Sequence, residues 1–359
     1  MKIGEYLASS ERRYLAVALA GFFVFSATVV SGFAQSATDV LPTTGQPKNQ
    51  VVATIPVGAE PVAVVVNPTS KLVYVANEGS NTVSVIEATT NTVATTIPVG
   101  SAPSAIAIAP DGATLYVGNA ALQQKLTVSV VATPTNTVTA TIDTGIFTLG
   151  GGELAVSPDG TKVYVTVNEP EAGVTVIDTA TNQISGTITI SYRRFGDSLK
   201  PGSVIFSPSG RFAYVTSGLY HMNGFFISKI DTASEKQISS TSLGGYGGAW
   251  MSIHGHMLYM TTQNHLIVFD TSSNTVVKRV SFANFLGQNA LTPDGKYLYV
   301  THPNKVLTMN TATDELVGAP IQIGQGAGAS ALAIAPDGLR AYVANYFDGT
   351  VSVIDISTQ

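Results

Sequence analysis

The chain has 359 residues, a formal net charge of -5 and no cysteine, and only 11% of its residues are charged. Ordinary soluble domains carry about 25% charged residues. The lack of cysteine excludes a disulfide framework, a thiolate metal site and a lipid anchor on cysteine. The mild negative charge gives no general attraction to nucleic acid or anionic lipid. The length allows two or three average domains or one large all-β domain.

Residues 1–34 have the features of an export signal. Basic residues up to Arg13 precede an apolar run from Tyr14 to Val30. Small residues follow, so we expect cleavage after Ala34, export to the periplasm, cell surface or medium, and no membrane span in the mature chain. The alternative is a retained anchor, because the run approaches the roughly 20 residues that span a bilayer. Residues 35–48 are rich in Gln, Ser, Thr, Pro and Gly and predict a flexible leader.

One unit recurs seven times between residue 49 and the end of the chain. Its second apolar run is anchored by a tyrosine, at Tyr74, Tyr116, Tyr164, Tyr214, Tyr259, Tyr299 and Tyr342. Each unit holds four short β-rich runs separated by turns of the Pro-Asp-Gly and Asp-Thr-x-Thr-Asn kind. Such a unit cannot bury both faces alone, but radial stacking can. The sequence therefore predicts an all-β fold, a seven-bladed β-propeller of four-stranded antiparallel blades, as one domain over residues 49–359.

The seventh unit breaks off in the turn after its third strand, at Ser357-Thr358-Gln359. The sequence expected for its fourth strand is Asn-x-Val-Val-Ala-Thr-Ile-Pro-Val-Gly, and this sequence occurs at Asn49–Gly58. We therefore predict that residues 51–57 pair with residues 350–355 as the outer strand of blade seven. This pairing closes the ring and removes an exposed sheet edge. The alternative, an open solenoid, leaves residues 51–57 unpaired.

The tripeptides Tyr164-Val165-Thr166, Tyr214-Val215-Thr216 and Tyr299-Val300-Thr301 lie at the same place in their units. With the surrounding Pro-(Asp or Ser)-Gly and Asp-Thr signals, they resemble the YVTN family of surface and periplasmic β-propellers, which includes the YncE-like proteins. The resemblance covers residues 49–359. It implies the fold rather than an activity, because such repeats share a scaffold and not a site.

We expect the loops after the second and fourth strands of each blade to share one face, the usual ligand side of a propeller. On this face, blades three to six carry nearly all of the aromatic, cationic and histidine residues. The predicted binding residues are Glu153, Tyr192, Arg193, Arg194, His221, Tyr246, Trp250, His265, Gln288 and His302. Arg193 or Arg194 would engage an anionic group. Glu153 with His302 or Arg194 would form an acid–base pair if the fold brings them close. The alternative is that repeat divergence left long solvated loops, with aromatic residues covering the rim.

The residue that follows each Tyr-x-x run is asparagine in three blades, at Asn77, Asn119 and Asn345. We expect these asparagines to cap strand ends rather than to contact a ligand. His302 occupies the same place in blade six and departs from the repeat. No metal-ligand spacing, nucleophile motif or cofactor motif is present, so we predict no metal and no cofactor.

The sequence is compatible with three functions. The first is a monomeric, non-catalytic binding scaffold that contacts a protein, glycan or small-molecule ligand, mainly through blades three to six. The second is a propeller enzyme of the lactonase or polysaccharide lyase type acting at the channel mouth. The third, binding of single-stranded nucleic acid by Tyr192-Arg193-Arg194-Phe195, is disfavoured by the acidic chain.

Overall fold

The computed structural model describes residues 45–147, 152–167, 173–191, 199–219, 224–244, 249–262, 264–282, 286–324 and 328–358. Within these ranges the chain forms β-strands and turns and no helix. Accordingly, no helix long and apolar enough to cross a bilayer is found among the described residues.

The strands form seven antiparallel sheets, which are the blades. Blade one contains β2 (Pro61–Val66), β3 (Leu72–Asn77), β4 (Thr82–Glu87) and β5 (Thr92–Pro98). Blade two contains β6 (Pro103–Ile108), β7 (Thr114–Asn119), β8 (Lys125–Ala132) and β9 (Thr137–Phe147). Blade three contains β10 (Leu154–Val156), β11 (Lys162–Val167), β12 (Gly173–Asp178) and β13 (Gln183–Thr189). Blades four and five contain β14 (Leu199–Phe206), β15 (Phe212–Leu219), β16 (Phe225–Asp231) and β17 (Lys236–Ser242); and β18 (Trp250–His254), β19 (Met257–Thr261), β20 (His265–Asp270) and β21 (Thr275–Ser281).

Blades six and seven differ from this plan at their outer strands. Blade six contains β22 (Asn289–Leu291), β23 (Tyr297–His302) and β24 (Lys305–Asn310), and its outer strand is split into β25 (Glu315–Leu316) and β26 (Ile321–Gln322), which both pair with β24. Blade seven contains β27 (Ala329–Ile334), β28 (Arg340–Asn345), β29 (Thr350–Asp355) and, as its outer strand, β1 (Gln50–Pro56).

The first strands of neighbouring blades contact one another in a closed series, β2, β6, β10, β14, β18, β22, β27 and back to β2. One cluster of buried apolar side chains lies at each of the seven interfaces between neighbouring blades. The core is therefore a ring of interfaces rather than a single centre, as radial stacking requires. The predicted all-β, seven-bladed β-propeller is confirmed.

The seven repeat tyrosines lie in these interfaces and are at most 6% exposed. Two of their hydroxyl groups donate to an asparagine in the last turn of the next blade, Tyr74 to Asn136 Oδ1 (3.3 Å) and Tyr299 to Asn49 Oδ1 (2.7 Å). The residue at this turn position has a positive φ in every blade, at Asn49, Asn91, Asn136, Asn182, Glu235, Asn274 and Asp314. Asparagine and aspartate tolerate that conformation better than most residues. The turn signal in the sequence thus also sets a link between blades.

The Pro-Asp-Gly turns form as the sequence predicts. In blade two the Asp111 carboxylate accepts from the Ala113 N–H (2.9 Å), and Gly112 has a φ of 72°. A Cβ at Gly112 would overlap Asn67 and Thr69 of blade one. Glycine here serves both the hairpin and the close approach of two blades.

The predicted closure is confirmed: β1 pairs antiparallel with β29, with Val51 opposite Ile354 and Pro56 opposite Thr350. The Val57 N–H extends the ladder to the Gly349 carbonyl (2.9 Å). Ile55 is 3% exposed and packs in the cluster shared by blades seven and one.

Contacts with the ring begin inside the segment 35–48 that was predicted as a leader. The Gly45 carbonyl accepts from the Tyr297 hydroxyl (3.1 Å), Pro47 bridges to Thr358, and Lys48 forms an ion pair with Asp355 (3.5 Å). Residues 45–48 therefore continue the outer edge of blade seven, because the turn after β29 offers them backbone and charge partners.

Two substitutions on β1 test the closure. We expect Ile55→Ala to lower the free energy of unfolding by about 2–5 kcal/mol, because it leaves a cavity at the junction of blades seven and one. Val52→Ala lies on the same strand at a side chain that is 43% exposed, and we expect it to change stability by less than about 0.5 kcal/mol. Denaturant unfolding measures both, and equal effects would contradict the closure.

Candidate functional site

Two sets of connections lie together at one end of the ring, which we call the mouth face. They are the loops that lead from an outer strand into the next blade and the loops between second and third strands. In blade one they are joined by the Glu78 N–H donating to the Glu60 carbonyl (2.9 Å) and the Gly79 N–H donating to the Ala59 carbonyl (3.1 Å). Each first strand therefore starts beside this face.

Each first strand contributes one equivalent residue near the mouth face, two positions before the residue that pairs with the repeat tyrosine. These seven residues, called the inner ring below, are Ala63, Ala105, Glu153, Ser203, Trp250, Gln288 and Ala331. The residues opposite them on the second strands are Ala76, Gly118, Thr166, Thr216, Thr261, Thr301 and Ala344. Blades seven, one and two thus present small apolar pairs, whereas blades three to six present a larger or polar residue opposite a threonine.

The threonines fix the starts of the first strands. The hydroxyl of Thr216 donates to the Ala249 carbonyl (3.3 Å), and that of Thr261 donates to the Gly287 carbonyl (2.6 Å), in each case in the next blade. The Thr166 hydroxyl accepts from the Glu153 N–H within its own blade (2.9 Å). These bonds hold the polar part of the inner ring in place, because they satisfy backbone groups that the shortened first strands leave unpaired.

Glu153 is the ionisable member of the inner ring. Leu154 and Val156 pack toward blade two, whereas Ala155 packs toward blade four, so strand alternation places the Glu153 side chain on the side of blade four. The side chain is partly exposed, and it has no ion pair or hydrogen bond to another described residue. Burial raises the pKa of Glu153 from 4.5 to about 7. Its carboxyl group therefore titrates in the neutral range of pH.

Trp250 is the inner-ring residue of blade five. Its backbone is hydrogen-bonded to Asn289 of blade six. The Asn289 Nδ2 donates to the Trp250 carbonyl (2.9 Å) and to the Thr261 hydroxyl (2.9 Å), and its Oδ1 accepts from the Ser252 hydroxyl (2.5 Å). Sequence reasoning missed Asn289. The signal was an asparagine at a place where the other six blades have an aliphatic residue or methionine.

Gln288 has a structural role through one of its atoms. Its Oε1 accepts from the Leu332 N–H (2.9 Å), which belongs to the first strand of blade seven. The side chain is partly exposed, and its Nε2 has no acceptor among the described residues. One end of this amide therefore links two blades, while the other end remains available at the ring.

The expected strand-capping role of the asparagines is confirmed. Asn77 Nδ2 donates to Thr82 Oγ1 (3.1 Å) and Ser84 Oγ (3.0 Å), and Asn345 donates likewise to Thr350 (2.9 Å) and Ser352 (2.9 Å). In blade two Asn119 makes the equivalent bonds to Thr127 and Ser129. These residues serve the fold.

His302 occupies the same place in blade six, but Lys305 and Leu307 replace the two hydroxyl residues. Both ring nitrogens of His302 are buried and have no hydrogen-bond partner in the described part of the chain. Burial and the charge of Lys305 lower the pKa of His302. The imidazole is therefore neutral at physiological pH. Because His302 ends a second strand, it does not belong to the inner ring, which is formed by first strands.

The structure does not bring Glu153 and His302 together as an acid–base pair. They belong to blades three and six, and neither contributes to the pKa shift of the other. His265 begins β20, and its backbone closes a short turn with Thr262. Of the ten predicted binding residues, Glu153, Trp250 and Gln288 lie in the inner ring, whereas His265 and His302 do not. The other five lie outside the described residues: Tyr192, Arg193, Arg194, His221 and Tyr246.

A second polar cluster, which sequence reasoning missed, lies on the mouth face between blades seven and one. Burial and the charges of Glu78 and Glu60 raise the pKa of Tyr346 to about 12, and its side chain is hydrogen-bonded to Glu60. Burial and Glu60 also raise the pKa of Glu78. The short loops of these blades hid the cluster, because it is assembled from three separate loops. No group of His, Asp and Glu among the described residues has the arrangement of a metal site.

Comparison with known proteins agrees with this architecture. The sequence model of the family described as "Lactonase, 7-bladed beta-propeller" matches residues 43–183, a stretch that includes Glu153. Among solved structures, the hydrazine synthase of Kuenenia stuttgartiensis is similar, with a TM-score of 0.73 and 22% identity over 91% of this chain and 100% of that chain. At this identity the likeness shows the fold alone. No match was found among curated proteins.

The pKa of Glu153 predicts a pH-dependent stability. The pKa of Glu153 is raised from 4.5 in the unfolded chain to about 7 in the folded protein. The contribution of protonated Glu153 to folding stability is therefore fully present below pH 4.5 and is lost as the pH rises through about 7. We therefore expect Glu153→Gln, which mimics the protonated carboxyl, to be more stable than the wild type at pH 8 by about 1–3 kcal/mol. This advantage should shrink steadily toward pH 4.

Urea denaturation at several pH values measures the difference. The matched control is Glu315→Gln, which removes a carboxylate from the exposed outer strand of blade six and which we expect to change stability by less than about 0.5 kcal/mol. A Glu153→Gln advantage that is the same at pH 5 and pH 8 would contradict the raised pKa.

Proposed function

We propose that this protein is an exported β-propeller that binds a ligand at the mouth of its channel through the inner ring of blades three to six. The observation that carries the proposal is the division of the inner ring. Four consecutive blades replace alanine with Glu153, Ser203, Trp250 and Gln288, and each of these lies opposite a threonine. Ring closure needs no such division, since blades seven, one and two close with alanine at the same place.

The local physics supports a binding role for this half of the ring. Ligand sites in proteins combine an apolar or aromatic wall with a few convergent polar groups. Trp250 provides the aromatic wall, and Glu153 is a partly buried carboxyl with a shifted pKa, which is a recurrent mark of functional sites. The basic start, apolar run and small residues of the first 34 residues support export.

A thermal-shift screen tests the proposal. The probes are monosaccharides, sugar lactones, uronates, amino acids and short peptides. We expect at least one class to stabilise the wild type, by about 2.7 kcal/mol at a concentration 100 times the Kd. The same class should stabilise Glu315→Gln equally and Glu153→Gln much less. A ligand whose effect is untouched by Glu153→Gln and by Gln288→Ala would place binding elsewhere and contradict the proposal.

Lactone hydrolysis is the second candidate function, and the match of the lactonase family model to residues 43–183 favours it. A carboxylate with a pKa of about 7 is suited to general base catalysis near neutral pH. Glu153 would take a proton from water while the water oxygen attacks the lactone carbonyl. The ring C–O bond would then break, and the leaving alkoxide would take the proton back, giving the hydroxy acid.

Proton release from δ-gluconolactone at pH 6 to 8 measures this activity. We expect kcat/KM to rise with pH through about 7 and Glu153→Gln to lower it about 10²- to 10⁴-fold, while Glu315→Gln leaves it unchanged. A wild-type rate equal to the uncatalysed rate would reject lactone hydrolysis and leave the binding proposal standing.

A further inference from the structure

We propose that the inner ring of blades three to six binds an uncharged sugar ring. One face of the sugar stacks on the indole of Trp250, and its hydroxyl groups hydrogen-bond to Glu153, Ser203 and Gln288. This inference rests on the proposed binding function and names the chemical class of its ligand.

The polar members of the ring have unused hydrogen-bonding capacity. The Ser203 N–H is satisfied by Thr216, but the Ser203 hydroxyl has no partner among the described residues. The same holds, within those residues, for the Glu153 carboxyl and the Gln288 Nε2, and all three side chains are partly exposed. Carboxylate, hydroxyl and amide groups together can accept from and donate to hydroxyl groups. A polyhydroxylated ligand matches this mixture.

Trp250 provides the apolar surface that a sugar ring requires. Its indole is partly exposed, and its backbone is held by Thr261 on one side and Asn289 on the other. In the described part of the chain no other aromatic ring stacks on it. A partly exposed aromatic ring beside hydrogen-bonding groups suits a flat ligand with polar edges, since an indole buries a large area at little cost in side-chain entropy.

The charge of the ring argues for an uncharged ligand. The inner ring contains no lysine or arginine, and Glu153 is its one ionisable residue. An anionic sugar such as a uronate would be repelled by the ionised carboxylate in a partly buried site, where screening is weak. On the opposite side of the ring the equivalent residues Ala63, Ala105 and Ala331 are small, uncharged and buried.

Trp250 is also the single tryptophan of the chain, so its fluorescence reports directly on the site. We would titrate the full chain at pH 8 with glucose, cellobiose and maltose, and with glucuronate as the charged counterpart of glucose. We expect a saturable change in emission with at least one neutral sugar and about tenfold weaker binding of glucuronate than of glucose.

Calorimetry with the best neutral sugar extends the test to variants that lack the fluorophore. We expect Trp250→Ala to weaken binding about tenfold or more, through loss of the stacked face, and Trp250→Phe to weaken it much less. Tyr346→Ala, on the far side of the mouth face, is the matched aromatic control and should bind like the wild type.

The outcomes separate this inference from the function on which it rests. Saturable binding of glucuronate with no response to neutral sugars overturns the uncharged class but keeps ligand binding at the ring. No response to any sugar, combined with a non-sugar ligand that depends on Glu153 in the thermal-shift screen, overturns the carbohydrate inference alone. Equal affinities of Trp250→Ala and the wild type for a neutral sugar overturn the stacked arrangement.

Discussion

The pairing of β1 with β29 is the constraint on which the rest of the structure depends. Each blade buries its faces only against its two neighbours, so a ring has no unsatisfied interface only when the last blade meets the first. Ile55 on β1 packs in the cluster shared by blades seven and one. The strand therefore joins the two ends of the chain and also contributes to the core at the junction. Without it, β29 would present an open edge, and the outer part of that cluster would be exposed.

The repeat places its strictest requirements away from the mouth face. The buried tyrosines, the Pro-Asp-Gly turns and the positive-φ residues of the last turns all act at the interfaces or at the opposite end of the blades. The starts of the first strands carry fewer such requirements, because residues as different as Ala63 and Trp250 fit the same place. Variation can therefore accumulate in the inner ring without loss of the fold, and this is where blades three to six differ from the other three.

The candidate site shows how far departures from a repeat can be interpreted. Both Gln288 and His302 depart from the consensus, but only Gln288 lies in the inner ring, and one end of it is used to hold Leu332 of the next blade. His302 occupies a strand-capping position where the usual hydroxyl partners have been replaced. Its difference from the repeat consensus therefore does not identify a residue of the inner ring. Glu60, Glu78 and Tyr346 come from three loops that look unremarkable one by one, and their proximity is invisible until the ring is closed.

The sequence by itself determined the number of blades, the strands within each blade, the tight turns and the closing strand, because each depends on local residue pattern repeated seven times. Tertiary structure alone decided which residues of different blades share a site. Glu153, Ser203, Trp250 and Gln288 are separated by about a blade each along the chain, and only the common register of the first strands places them in one ring. The same holds for the pKa of Glu153, since the burial that raises it exists only in the folded ring.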